Sequence, residues 1–253
     1  MYHSISDGQE KNTHPYYRRI TAPHVFVEHM GFLHENNYFA VSLSEAINRM
    51  QAPSHDSQRR VVITFDDGYK DFYTRAFPIL SNYGFGATVF LPTAYVGDTS
   101  LRFKGIDCLT WSQVRELRKA GVVFGSHTVN HRQLKALRDV DIEYEMRCSK
   151  QTIEEKLGCQ VESFAYPFAF PETDKEFKKK LRDMLYAAGY KNGVSTIVGT
   201  AGRADDIFFM RRLPVNSCDD PRLLKAKLEG GYDWVHNPQY LFKLTAIGER
   251  FQT

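Results

Sequence analysis

The chain is poor in features that would place it in several large functional classes. It has only four cysteines, Cys108, Cys148, Cys159 and Cys218, spread over 253 residues with no C-x-x-C pair. That spacing argues against a structural zinc site; disulfides are permitted but not required, and reduced structural thiols are the simpler reading. Charge of one sign is also lacking, since 33 basic and 30 acidic residues leave a formal net charge of +3. Nothing in that balance argues for nucleic acid or an anionic membrane as partner. No apolar run approaches the length of a membrane span. No Gly/Ser/Pro-rich linker divides the chain, and there is no internal repeat or low-complexity tract. With 42% hydrophobic and 13% aromatic residues there is material for a sizeable core. One domain over 1–253 is the expectation, with 216–253 forming a helical and aromatic tail.

The N-terminus is polar and carries no apolar segment of the kind that forms a secretory signal. The chain as given reads as cytoplasmic, a reading that a longer natural N-terminus would change.

What the sequence has is alternation. Apolar strand-like runs at 61–65, 87–91, 122–125, 161–165 and 193–197 alternate with helical periods. The helices are expected at 21–36, 69–83, 110–120, 138–157, 172–188 and 219–229. Thr110 and Gln113 have the spacing of a capping box, and Gly158 and Gly189 stand where helices end. Repeated βα units predict an α/β fold with parallel strands and helices outside.

Two of these strands end in chemistry. Val-Val-Ile-Thr-Phe at 61–65 runs into Asp66, Asp67 and Gly68. The run ending at Phe124 leads into Gly-Ser-His-Thr-Val-Asn-His, with His127 and His131 four residues apart. Alone, Asp-Asp-Gly makes a turn, and two histidines can be satisfied by backbone carbonyls. Together, both sets emerge at the C-terminal edge of a parallel sheet, where catalytic groups gather. One carboxylate and two imidazoles form an N/O ligand set for a divalent ion with open positions. The second carboxylate is left as a general base, so the constellation points to a metal-dependent hydrolase.

Thr-Phe-Asp-Asp-Gly at 64–68 and His-Thr-Val-Asn-His at 127–131 closely resemble the first two motifs of the polysaccharide deacetylases, the NodB-homology group or carbohydrate esterase family 4. Tyr-His-Ser-Ile-Ser at 2–6, Ala-Phe-Pro-Ile-Leu at 76–80, Ala-Thr-Val-Phe-Leu-Pro-Thr at 87–93, Leu-Thr-Trp at 109–111 and Phe-Ala-Tyr-Pro at 164–167 extend the resemblance over residues 2–215. It implies a distorted (β/α) barrel of about seven strands that removes N-acetyl, sometimes O-acetyl, groups from an amino-sugar glycan. It also implies a metal triad of Asp67, His127 and His131, with zinc the first choice and cobalt, nickel or manganese as alternatives. Asp66 matches the base, and the backbone N–H of Phe168 the oxyanion donor, with Tyr166 and Pro167 beside the substrate.

The chain departs from the family pattern in three places. Where the third motif commonly carries a base-orienting arginine, this chain has Ala165. Arg212 resembles a later arginine of one subgroup and is the candidate to orient Asp66; the alternative is that Arg211 and Arg212 ion-pair at the surface. The late Leu-x-His motif that supplies a general acid is missing. His3, in the early Tyr-His motif, is the first candidate for that role and His236 the second. An apolar strand normally precedes the Tyr-His motif, so the first strand is nearly absent or the chain begins further upstream. His14, His24, His29, His34 and His55 read as structural. Two other classes remain open: a glycan-binding pseudoenzyme of the same fold, and a hydrolase of another small amide. Oligomeric state is not legible.

Overall fold

A computed structural model describes residues 1–8, 10, 13–14, 17–52 and 58–235. Two short strands, β1 (Ser4–Ile5) and β2 (Ile20–Thr21), pair in parallel and lead into α1 (Pro23–Glu35). A second two-stranded parallel sheet joins β3 (Tyr38–Ala40) to β4 (Arg59–Val61), with α2 (Leu43–Gln51) between them. The run expected as one strand at 61–65 is therefore split. Its first residue belongs to this small sheet, and β5 (Thr64–Phe65) begins the large one.

The helix expected at 69–83 is also altered. Pro78 has no N–H for the bond to Thr74, so the chain makes a wide turn over Phe72–Ala76 before α3 (Phe77–Asn82). After β6 (Thr88–Leu91), a hairpin of β7 (Arg102–Phe103) and β8 (Ile106–Asp107) precedes α4 (Trp111–Lys119). Thr110 and Gln113 make both bonds of the capping box. The remaining elements are β9 (Val123–Ser126), α5 (Asp139–Leu157), β10 (Ser163–Ala165), α6 (Lys175–Ala187), β11 (Asn192–Val198), β12 (Met210–Arg212) and α7 (Pro221–Leu228).

The large sheet has six parallel strands in the order β12-β11-β10-β9-β6-β5. It curls as a half-barrel, with six strands in its sheet among the described residues where the resemblance implies about seven. All four residues of β6 are buried, and six of seven in β11, as in strands covered on both faces. Gly125 permits the close packing of β9: a Cβ there would lie 2.5 Å from the Phe90 ring and 2.9 Å from the Ser163 carbonyl.

Between the edge strands β5 and β12 the sheet does not close. Tyr2 bridges to Phe65, and the Met1 carbonyl accepts the Val215 N–H at 3.0 Å. A cavity of about 510 Å³ lies along this seam, lined by Leu43, Met50, Ile63, Val194, Met210 and Leu224 among others. His29 is a structural tie across the same region. Its ring bonds the Tyr2 hydroxyl at 3.1 Å and the Asp219 carbonyl at 2.5 Å. The four cysteines are free. Among the described residues no helix is long and apolar enough to cross a membrane.

Candidate metal and catalytic centre

β5 delivers its carboxylates through a turn that separates them. Asp67 and Gly68 both have positive φ, +70° and +61°, so the two aspartates do not continue the strand's alternation. A side chain at Gly68 would strike Leu91 at 2.9 Å, while its carbonyl accepts the Leu109 N–H at 2.9 Å.

Asp66 is buried against Arg212, which lies at the end of β12. The two guanidinium nitrogens donate to its two oxygens at 2.7 and 2.8 Å, the bidentate arrangement that orients a carboxylate. Arg212 is itself held by the Ser195 carbonyl at 2.9 Å. Burial alone would raise the Asp66 pKa, but Arg212 and nearby imidazole charge reverse that and hold it at about 2. Of the two arrangements open for the arginines, Arg211 pairs with Asp205 while Arg212 is buried on Asp66.

Asp67 faces the other way. Its Oδ1 lies 3.2 Å from His131 Nε2 and 3.6 Å from His127 Nε2. His127 Nδ1 lies 2.8 Å from the Ala165 carbonyl; donating there, it leaves Nε2 as a lone pair turned toward Asp67. The residue standing where the family's arginine would be thus contributes its backbone oxygen. Burial pushes His127 down to about 4, against the pull of the Asp66 carboxylate.

The loop carrying both histidines is conformationally costly, with φ of +69° at Thr128 and +51° at His131. It is held from α5. The buried Glu145 carboxylate accepts the Val129 and Asn130 N–H groups, each at 2.8 Å, and the Asn130 side-chain amide at 2.9 Å. Thr128 Oγ1 takes the His131 N–H at 2.9 Å.

These residues fit a divalent cation. One ligand atom each from Asp67, His127 and His131 lie within 4.8 Å of one another, and all three residues are buried. Neither Asp67 oxygen has a hydrogen-bond partner, an arrangement that is costly for a buried carboxylate unless a cation takes its charge.

The remaining sequence candidates fall into two groups. His3 follows Tyr2, whose backbone exchanges bonds with Thr64 (2.8 Å) and Asp66 (3.0 Å). Its ring feels the carboxylates of Asp67 and Asp66, which raise its pKa against a larger lowering by burial. Phe168 is exposed, has φ +59°, and its ring is 4.9 Å from that of His131. The Phe168 turn is fastened by Thr196, whose hydroxyl donates to its carbonyl at 3.0 Å.

Tyr166 does not join them as a substrate contact. Its side chain packs among Phe164, Phe170 and Phe209 with only 2% of the residue exposed. Pro167 is likewise buried. His236 and His55 lie outside the described residues.

Two residues that sequence reasoning passed over belong to this site. Glu145 is one, and its signal was a carboxylate on the apolar stripe of α5. Lys104 is the other, with its ammonium 3.9 Å from Asp67 Oδ2.

Comparison with known proteins identifies the family. The family model described as polysaccharide deacetylase matches residues 54–192. The Bacillus subtilis (strain 168) protein YxkH is 30% identical over 216 residues, which are 85% of this chain and 70% of that one. The poly-β-1,6-N-acetyl-D-glucosamine N-deacetylase of Escherichia coli (strain K12) is 37% identical over 113 residues, 41% of this chain and 17% of that enzyme. Among solved structures, the Streptococcus pyogenes deacetylase PplD in complex with acetate superposes with TM-score 0.78 at 24% identity, covering 90% of this chain and 95% of PplD. IcaB from Ammonifex degensii gives 0.71 at 21%, with the same coverage. Sequence match and fold together establish that the chain belongs to the polysaccharide deacetylase family.

Proposed function

We propose that this protein hydrolyses N-acetyl groups from an amino-sugar-containing glycan with the help of one divalent ion. The observation that carries the reading is the division of the two aspartates. Asp66 is ionised and aimed by Arg212, while the Asp67 carboxylate has no hydrogen-bond partner on either oxygen and faces two imidazoles. A bound divalent ion would be held by Asp67, His127 and His131, and would supply Lewis-acid polarisation of the acetyl carbonyl and a more acidic water. Zinc suits the ligand set best, with cobalt, nickel and manganese as alternatives.

The chain's own residues do the rest. Asp66 takes the proton from the attacking water, and Arg212 keeps its lone pairs turned to the site. The Phe168 N–H donates to the oxyanion that forms from the carbonyl, and the +59° φ at that residue fixes the turn that presents it. His3 hands a proton to the departing amine; the two carboxylates partly offset the burial that lowers its pKa. The Escherichia coli relative is named for poly-β-1,6-N-acetyl-D-glucosamine, which supports a polymer of N-acetylated glucosamine as the substrate class.

Acetate release from N-acetylglucosamine oligomers, with and without a chelator, tests the reading. Chelation should abolish release and divalent ion should restore it. Release that persists after complete metal removal would overturn the metal-dependent reading, and a metal-loaded chain inactive on every oligomer would overturn the deacetylase reading.

A further inference from the structure

Lys104 sits at the tip of the β7–β8 hairpin, in the connection from β6 to α4. The strands pair Arg102 with Asp107 and Phe103 with Ile106, leaving Lys104 and Gly105 as a two-residue turn. Both turn residues have positive φ, +50° and +81°, as a type I′ turn requires. Asn, Asp or Gly fills the first position easily; lysine gains nothing there from its backbone. What the position supplies is a side chain, and it reaches back over the centre. Its ammonium lies 3.9 Å from Asp67 Oδ2, 4.5 Å from the Phe103 ring centroid and 5.7 Å from that of Phe168. Those two rings flank His131, at 5.0 and 4.9 Å. The cation therefore stands at the opening of the ligand cluster, between the Asp67 carboxylate and the Phe168 turn.

We propose that Lys104 is a further catalytic residue, whose ammonium donates a hydrogen bond to the acetyl oxygen as negative charge develops on it and then to the acetate that leaves. The inference rests on the deacetylase reading above. A neutral backbone N–H at Phe168 offers one donor to that oxygen; a charged donor on the other side is shorter and stronger. The buried Phe103 ring forms one wall beside the ammonium. Lys104 transfers no proton in this step: the C–N bond breaks, the C–O bond forms from water, Asp66 takes the proton that water loses, and His3 gives one to the amine.

The competing account makes Lys104 only a counter-ion for Asp67. At 3.9 Å, however, the contact is Coulombic and too long for a hydrogen bond, so Asp67 does not consume the ammonium's N–H groups.

The test uses the metal-loaded full chain with Lys104→Met and Lys104→Arg. Acetate affinity is measured by calorimetric titration, kcat and KM on N-acetylglucosamine oligomers, and metal content by elemental analysis. Lys104→Met should weaken acetate binding and lower kcat by about 10²-fold, the scale for losing one oxyanion donor, with KM nearly unchanged. Lys104→Arg should recover part of both, and metal content should not change. Unaltered acetate affinity and kcat in Lys104→Met, or tighter metal binding as its only effect, would overturn the assignment while leaving the deacetylase reading standing. A wild-type chain inactive on every oligomer would instead sink that reading, and the catalytic role of Lys104 with it.

Discussion

Asp66 and Asp67 are neighbours in the chain with opposite partners, and the positive φ at Asp67 is what turns them apart. Asp66→Asn should leave metal content nearly intact and lower turnover by about 10²–10⁴-fold, the usual cost of losing a general base. Asp67→Asn should lose metal affinity as well. Elemental analysis beside acetate release separates the two, and equal metal loss in both variants would show the roles divided wrongly. At this scale the sequence was legible wherever the chemistry is contiguous: the paired aspartates and the two histidines lie within short motifs. It was not legible where partners are remote. Arg212 is 146 residues from Asp66 and came into view only through family resemblance. Lys104 lies in the turn between two-residue strands, too short to show any period.

At the scale of elements, β9 delivers the histidines but α5 holds their loop in shape. The period of α5 was readable, with Ile142, Met146 and Ile153 buried as the apolar spacing requires. Glu145 shares that buried face, and its carboxylate closes three hydrogen bonds to a loop with two residues at positive φ. Glu145→Ala should release the loop and weaken metal binding by about 10–100-fold, as losses of supporting hydrogen bonds around metal ligands typically do. Glu145→Gln keeps one acceptor oxygen and should fall between the two. Competition against a chelator measures this without reference to turnover. An unchanged affinity in Glu145→Ala would mean that Thr128 and the strand alone hold the loop. The split strand before β5 and the wide turn at Pro78 were beyond pattern reading, because both depend on which sheet or turn captures the chain rather than on local periodicity.

For the molecule as a whole, the half-barrel leaves a seam, and its functional pair also spans it. Arg212 comes from the edge strand β12 and Asp66 from the end of the opposite edge strand β5, so their ion pair links the two open sides of the sheet. Both groups are buried, at 6% and 2% side-chain exposure. Removing one partner of such a pair strands a charge in the interior and costs about 3–5 kcal/mol. Arg212→Met and Asp66→Asn should therefore each lower unfolding free energy on that order, and activity comparisons of Asp66→Asn belong well below its melting temperature. The double variant strands no ion. It should be more stable than the sum of the single losses predicts, with a coupling of about 1–3 kcal/mol. Urea denaturation of the chelated proteins gives the four free energies. If the losses simply add, the seam is held by the Tyr2 bridge and the Met1 contacts instead, and Arg212 matters to Asp66 for orientation alone.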